Sequence, residues 1–262
     1  MQLKLHTDGA SFDTNNGELS LSKIYLVRHG QAGTRDAYDT LSALGRRQSK
    51  LLGEYFVTQE IQFSSVYAGT MQRQQLTAAE VIAAYANSDL PLPEVNVDKQ
   101  WNEFDLANVY RVLGPLLCEA EPVFRREYEE MVQEVKENSN NPASQVHRRW
   151  RPCDTRMVEA WIEGKLPYDG ETWNQFRERV VKSGLAIPNE GPQENVLVFT
   201  SATPTGILTG LALDIQDTRV RQLAGVLYNS SFTVLRHGMD QLRLFQFNSI
   251  PHLLDRELQT HR

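Results

Sequence analysis

Lys23-Ile-Tyr-Leu-Val-Arg-His-Gly30 is the stretch on which the reading of the fold turns. Lys23 to Val27 is short, β-branched and nearly continuous in apolar residues, as a strand buried on both faces of a parallel sheet should be. It stops at Arg28-His29-Gly30, and a loop leads to a helix predicted over about 42–59. There Leu44, Leu51, Leu52, Tyr55 and Phe56 fall close to helical spacing. Outward from this unit the pattern repeats. Residues 65–68 read as a strand, about 70–87 as a helix, and 91–97 as extended chain. Helix-prone sequence runs from about 105 to 163, with a further helix predicted at about 171–186. Asn195-Val-Leu-Val-Phe-Thr200 is a second buried strand. The helix predicted after it, at 204–213, opens on Pro204, whose missing N–H is harmless in a first turn. Two extended runs, 231–236 and 241–247, flank His-Gly-Met-Asp and read as a β-hairpin. Alternating strands and helices followed by a hairpin predict an α/β three-layer sandwich: a mostly parallel central sheet, an antiparallel edge hairpin and a helical insertion over about 105–165.

Composition bounds the rest. The 262 residues are 40% hydrophobic and 23% charged, which excludes collagen-like, coiled-coil and wholly disordered chains. A net charge of −6 argues against coating nucleic acid or anionic membrane, while allowing a small basic pocket. Cys118 and Cys153 are too few for a disulfide framework, so a reducing, cytoplasmic location is expected. They have no zinc-ligand spacing, and no apolar run approaches the roughly eighteen residues of a membrane span. Residues 1–20, rich in Asp, Asn, Thr, Ser and Gly, are expected to be a flexible arm, with 21–262 a single domain.

In open α/β sheets ligands bind beyond the carboxyl ends of the strands. The polar residues just past the predicted strands are Arg28 and His29, then Arg73, then Glu103, then Ser201, Ala202 and Thr203. Together they suit a phosphoryl group. Arginine offers a rigid fork of donors, and a helix N-terminus offers free N–H groups. A neutral imidazole is a nucleophile near pH 7, and a carboxylic acid can protonate a departing alkoxide.

Arg28-His29-Gly30 after a buried strand resembles the signature of the histidine phosphatase superfamily, also called the phosphoglycerate mutase-like family. Further similar segments follow in order: Leu41-Ser-Ala-Leu-Gly-Arg-Arg-Gln48, Val66-Tyr-Ala-Gly-Thr-Met-Gln-Arg73, Asn102-Glu-Phe104 and Gly170-Glu-Thr-Trp-Asn-Gln-Phe-Arg-Glu-Arg-Val180. The resemblance spans about 22–254. It implies a phosphomonoester phosphatase in which His29 forms a phosphohistidine, Arg28 and Arg73 hold the phosphate, and Glu103 donates the proton. It implies no metal and no cofactor; the partner is a small phosphorylated substrate or a phosphoprotein.

The sequence departs from the family in one place. A second catalytic histidine usually follows the strand that here ends in Thr200, and Ser201 stands there instead. Losing one such donor costs roughly 10²–10³ in rate, by analogy with oxyanion holes. A slow phosphatase is therefore expected, with Ser201, Ala202 and Thr203 still facing phosphate and Arg35 or His252 able to fill the gap. The alternatives are a non-catalytic phospholigand-binding protein and, behind it, a phosphoglycerate mutase. A second Arg-His-Gly, at 236–238, falls in the hairpin turn and reads as structural. His147-Arg-Arg-Trp-Arg151 reads first as a solvated basic loop around a buried Trp150, and otherwise as a recognition element for an anionic substrate.

Overall fold

The computed structural model describes residues 22–188, 194–237 and 241–261; the arm expected over 1–20 and the turn at 238–240 lie outside the described residues. In chain order the elements are β1 (Lys23–Arg28), α1 (Ala43–Thr58), β2 (Ser65–Ala68), α2 (Gln72–Ala86), β3 (Val95–Val97), α3 (Leu106–Ala120), α4 (Pro122–Glu137), α5 (Gln145–Arg148), α6 (Pro152–Glu163), α7 (Trp173–Leu185), β4 (Asn195–Thr200), α8 (Ala202–Ala212), α9 (Asp217–Gly225), β5 (Phe232–His237) and β6 (Leu242–Ser249).

The strands form one sheet in the order β3-β2-β4-β1-β5-β6. The first four run parallel, and β5 is antiparallel to both β1 and β6. The α/β reading with a mostly parallel sheet and an edge hairpin therefore stands. Alternation along the central strands divides two cores between the faces of the sheet. Ile24, Leu26, Val196 and Val198 point to one face, where they pack with Phe176, Leu208 and the insertion helices. Tyr25, Val27, Leu197 and Phe199 point to the other, against Leu52, Phe56 and Val81 of α1 and α2. Aromatic edges meet there, with Tyr25 and Phe63 ring centroids 5.4 Å apart at 87°.

Register positions the site. Arg28 pairs with Thr200, so β1 and β4 end at the same level and their following loops emerge side by side. The loop after β1 is pinned against α1 by two glycines. A Cβ on Gly30 would overlap the Gly45 carbonyl, and a Cβ on Gly45 would overlap the Gln31 backbone. Ser42 caps α1 by accepting the Gly45 N–H at 3.0 Å.

Three boundaries differ from the sequence reading. The extended run 91–97 pairs with β2 only over Val95–Val97, because the Pro91–Pro93 portion has few N–H groups to give. Helix α8 begins at Ala202, two residues before Pro204, since proline needs no partner in a first turn. Helix α9 was not expected at all: it buries only Val220 and so carries almost no apolar periodicity.

Candidate active site

His29 leaves the end of β1 with its backbone fixed on both sides. Its N–H donates to the Thr200 carbonyl at 3.0 Å, and its carbonyl accepts from the Ser230 N–H at 3.1 Å. The ring lies 2.8 Å from the Gly30 carbonyl through Nδ1. A carbonyl only accepts, so Nδ1 carries the proton and Nε2 keeps a lone pair. Nε2 accepts from Nε of Arg73 at 3.3 Å. Burial, then the Arg73 and Arg28 charges, hold the imidazole pKa well below its ordinary 6.5. The ring is neutral at pH 7 and its free lone pair lies among cations.

Those cations are themselves held. Arg28 is buried, and its guanidinium donates to the Leu227 carbonyl, while Nε has no partner. Desolvation lowers its pKa, which is the condition under which an anion is most welcome. Arg73 opens α2 and donates through Nη1 to Asp39 at 2.8 Å. The Tyr38 ring lies 5.0 Å from its Cζ. The same Asp39 carboxylate accepts the N–H of Gln72 at 3.2 Å and of Arg73 at 3.4 Å, so it also satisfies the start of the helix. Sequence reading missed Asp39 and Tyr38. They lie 34 and 35 positions before Arg73, in a loop with no periodic signal.

Glu103 approaches from the loop after β3. Its Oε2 accepts the Thr203 N–H at 3.0 Å and its Oε1 the Phe104 N–H at 3.1 Å. Desolvation raises its pKa above 4.5, against the opposing pull of the Thr203 N–H and Arg73. The neighbouring acid, Asp105, accepts the Asn108 N–H at 3.0 Å and caps α3. Glu103 and Asp105, two residues apart, are thus distinguished by the N–H groups each one accepts.

One cleft of about 1130 Å³ is lined by Arg28, His29, Arg73, Glu103, Ala202 and Thr203. Three expected residues are not in it. Ser201 is buried behind the cleft wall, where its Oγ accepts from Nε2 of Gln74 at 2.9 Å. Arg35, expected to help fill the histidine gap, points into the insertion. It donates to Asp154 at 2.6 Å, to the Val146 carbonyl at 2.6 Å and to the Arg149 carbonyl at 3.0 Å. A fully buried carboxylate outcompetes an open cleft for a guanidinium. His252 is buried away from the gap, with Nε2 2.9 Å from Ser230 Oγ and its pKa lowered by burial to about 4.

The basic cluster of the insertion reaches the cleft. Arg148, Arg149 and Trp150 line its mouth, and Nη1 of Arg148 donates to Oε1 of Gln31 at 2.6 Å. Trp150 is 46% exposed, which corrects the expectation of a buried indole. The buried member is His147, which accepts the Arg35 N–H through Nδ1 at 3.2 Å. Among the described residues, no group of three or more His, Cys, Asp or Glu side chains could hold a metal ion. No described helix is long and apolar enough to cross a membrane.

Comparison with known proteins agrees with this fold. The profile of the Histidine phosphatase superfamily (branch 1) matches residues 24–164 and 127–250. A mitochondrial serine/threonine-protein phosphatase Pgam5 from Caenorhabditis elegans is 32% identical over 94 residues, covering 31% of this chain. The chain spans 33% of that relative's length. Among solved structures, a phosphoserine phosphatase from Entamoeba histolytica superposes with a TM-score of 0.57 at 14% identity, over 89% of this chain and 100% of that one. A phosphoglycerate mutase from Bacillus anthracis gives 0.57 at 16% identity, over 90% and 96%. At such identities the two structures share the fold.

Proposed function

The chain belongs to the histidine phosphatase superfamily, and from that premise we propose that it is a metal-independent phosphomonoester phosphatase working through a phosphohistidine on His29. The observation that carries the reading is the neutral His29 ring, its Nδ1–H on the Gly30 carbonyl, in one cleft with Arg28, Arg73 and Glu103. The substrate dianion lies between the two guanidinium groups, and the Arg73 N–H now on Nε2 turns to a phosphoryl oxygen. Nε2 attacks phosphorus as the phosphorus–oxygen bond to the alcohol breaks. Glu103, whose pKa burial raises, gives its proton to that oxygen. Water then attacks the phosphohistidine and gives its proton to the Glu103 carboxylate. Phosphate leaves, and neutral His29 and protonated Glu103 are restored.

Charge growing on the phosphoryl oxygens meets the arginines and the α8 N-terminus, which a helix of eleven residues presents at Ala202. With Ser201 turned to Gln74, no side chain at that position reaches the cleft. Turnover is therefore expected to be roughly 10²–10³ slower than with a donor in place. The same observation favours a second reading, a protein that binds phospholigands without turning them over. A mutase has no supporting observation of its own. The substrate of the Caenorhabditis relative, a phosphoprotein by its description, is one candidate for this chain. The single-domain reading of 21–262 and the cytoplasmic location belong to this proposal too; that relative is described as mitochondrial.

The test is a phosphomonoester panel with wild type and His29→Ala. Wild type is expected to turn over at least one ester, to trap a phosphohistidine under rapid quench and to keep its rate in EDTA; the variant is expected to lose all turnover. Phosphate binding without turnover in either form would establish the binder.

A further inference from the structure

The residues proposed to act on the phosphate form only part of the cleft lining. About 1130 Å³ is room for a drug-sized ligand, well beyond a phosphoryl group and a short polyol. Much of the remaining lining is apolar. Helix α6 presents Val158 and Ile162, one turn apart on a single face, and Leu106 and Trp173 face them from the starts of α3 and α7. Trp173 is stiffened by an edge contact with Trp161, their centroids 5.6 Å apart at 88°. A polyol laid against these four side chains would lose water from its hydroxyls without gaining partners from them, whereas an aromatic ring gains by burying its faces. Trp150 adds an exposed indole at the mouth. Arg148 and Arg149 precede it and line the same cleft; neither has a carboxylate within ion-pair distance among the described residues, and the bond of Arg148 to Gln31 uses the guanidinium edge, so both planar faces can stack on a ring.

We propose that this outer half is a leaving-group subsite, and that the substrates taken are phosphomonoesters of bulky aromatic alcohols, with Trp150 as a specificity-determining residue. The inference rests on the phosphatase reading for its phosphate end. A small aryl ester is favoured over a phosphoprotein because the apolar walls enclose a concave space behind the rim.

Binding of phosphonates tests the subsite without requiring turnover. Naphthylmethylphosphonate is expected to bind wild type roughly 10²-fold more tightly than methylphosphonate by calorimetry. Trp150→Ala is expected to cut that preference roughly tenfold. Gly225 lines the same wall at the end of α9, and a Cβ there meets nothing within 4 Å. Gly225→Leu fills space with little strain on the fold, and is expected to reduce the preference similarly. A wild-type preference near unity, an equal loss for both ligands in the two variants, or a phosphoserine peptide hydrolysed faster than naphthyl phosphate would overturn the proposal. A preference for the naphthyl ligand with no turnover of any ester would sink the phosphatase reading and leave the subsite standing. Turnover without preference would do the reverse.

Discussion

At the scale of single residues, the shifts on His29 and Glu103 run in the directions that the proposed chemistry needs. The attacking imidazole must be neutral, so its limb in kcat/KM lies where His29 protonates, below 6.5. The donor must be protonated, so its limb lies where Glu103 ionises, above 4.5. Activity should therefore persist into mildly acid solution and decline as pH rises through the Glu103 pKa; a profile that falls steeply on going from pH 7 to 6 would contradict the neutral imidazole. Glu103→Gln keeps the volume and removes the acid. It should lower turnover of alkyl phosphates by roughly 10²–10⁴ and barely touch an ester with a good leaving group such as nitrophenol. Ser201 offers a contrast. Its hydroxyl is spent on Gln74, so Ser201→Ala should change kcat/KM by less than about tenfold and cost about 1 kcal/mol of stability, read by denaturant titration. That Glu103 lines the cleft was legible from its place beyond a strand. The burial of Ser201 was not, because a hydroxyl at a helix start is compatible with facing either way.

At the scale of elements, local chemistry placed some boundaries and tertiary contact placed the others. Strands β1, β2 and β4 were readable as written because their apolar runs need no partner to be recognised. The start of α7 carries Thr172-Trp-Asn-Gln175, a reciprocal cap that the structure forms: Thr172 N–H to Gln175 Oε1 at 2.9 Å, Gln175 N–H to Thr172 Oγ1 at 3.4 Å. Reading it would have moved the predicted helix start from 171 to 173. The Arg35–Asp154 pair had no such signal, since the partners are 119 residues apart. It ties the loop after β1 to the insertion. Burial raises the Asp154 pKa, and the Arg35, Tyr110 and Arg151 donors outweigh burial and hold it below 3.8. A depressed carboxylate lends stability that is complete above its unfolded value and is lost as pH falls through its folded one. This contribution should therefore stay constant down to about pH 4 and fade only below it. Arg35→Met leaves a buried carboxylate without its main partner and should cost about 3–5 kcal/mol. The pH dependence identifies the cause: the stability deficit of Arg35→Met relative to wild type should shrink as pH falls below about 4, because a protonated Asp154 no longer needs the guanidinium.

At the scale of the whole molecule, residues 28, 73, 103, 202 and 203 converge because β3, β2, β4 and β1 are neighbours in the sheet. That much followed from each residue standing just past a strand. The apolar half of the cleft did not, because its walls belong to helices that pack through the insertion. The global charge of −6 also hides a cleft that brings together Arg28, Arg73, Arg148, Arg149 and Arg221 against Asp39, Glu103 and Asp105. Of these cations Arg28 and Arg73 are buried, and two buried guanidinium groups side by side are unfavourable in the free protein and relieved when an anion enters. Inorganic phosphate should accordingly bind the folded state alone and raise its stability by RT ln(1 + [L]/Kd), about 2.7 kcal/mol at a hundred times Kd. For a domain of this size that is a rise in Tm of roughly 5–10 °C. Sulfate at equal ionic strength separates the dianion site from general screening of the other charges, because its tetrahedral oxygens compete for the same guanidinium groups and chloride does not. Arg28→Ala should abolish the phosphate shift, since Arg28 has no carboxylate to fall back on, while Arg111→Ala, whose charge pairs with exposed Asp169, should leave it intact. A shift that survives in Arg28→Ala, or that chloride reproduces at the same ionic strength, would mean that the convergence seen in the sheet order does not make an anion site.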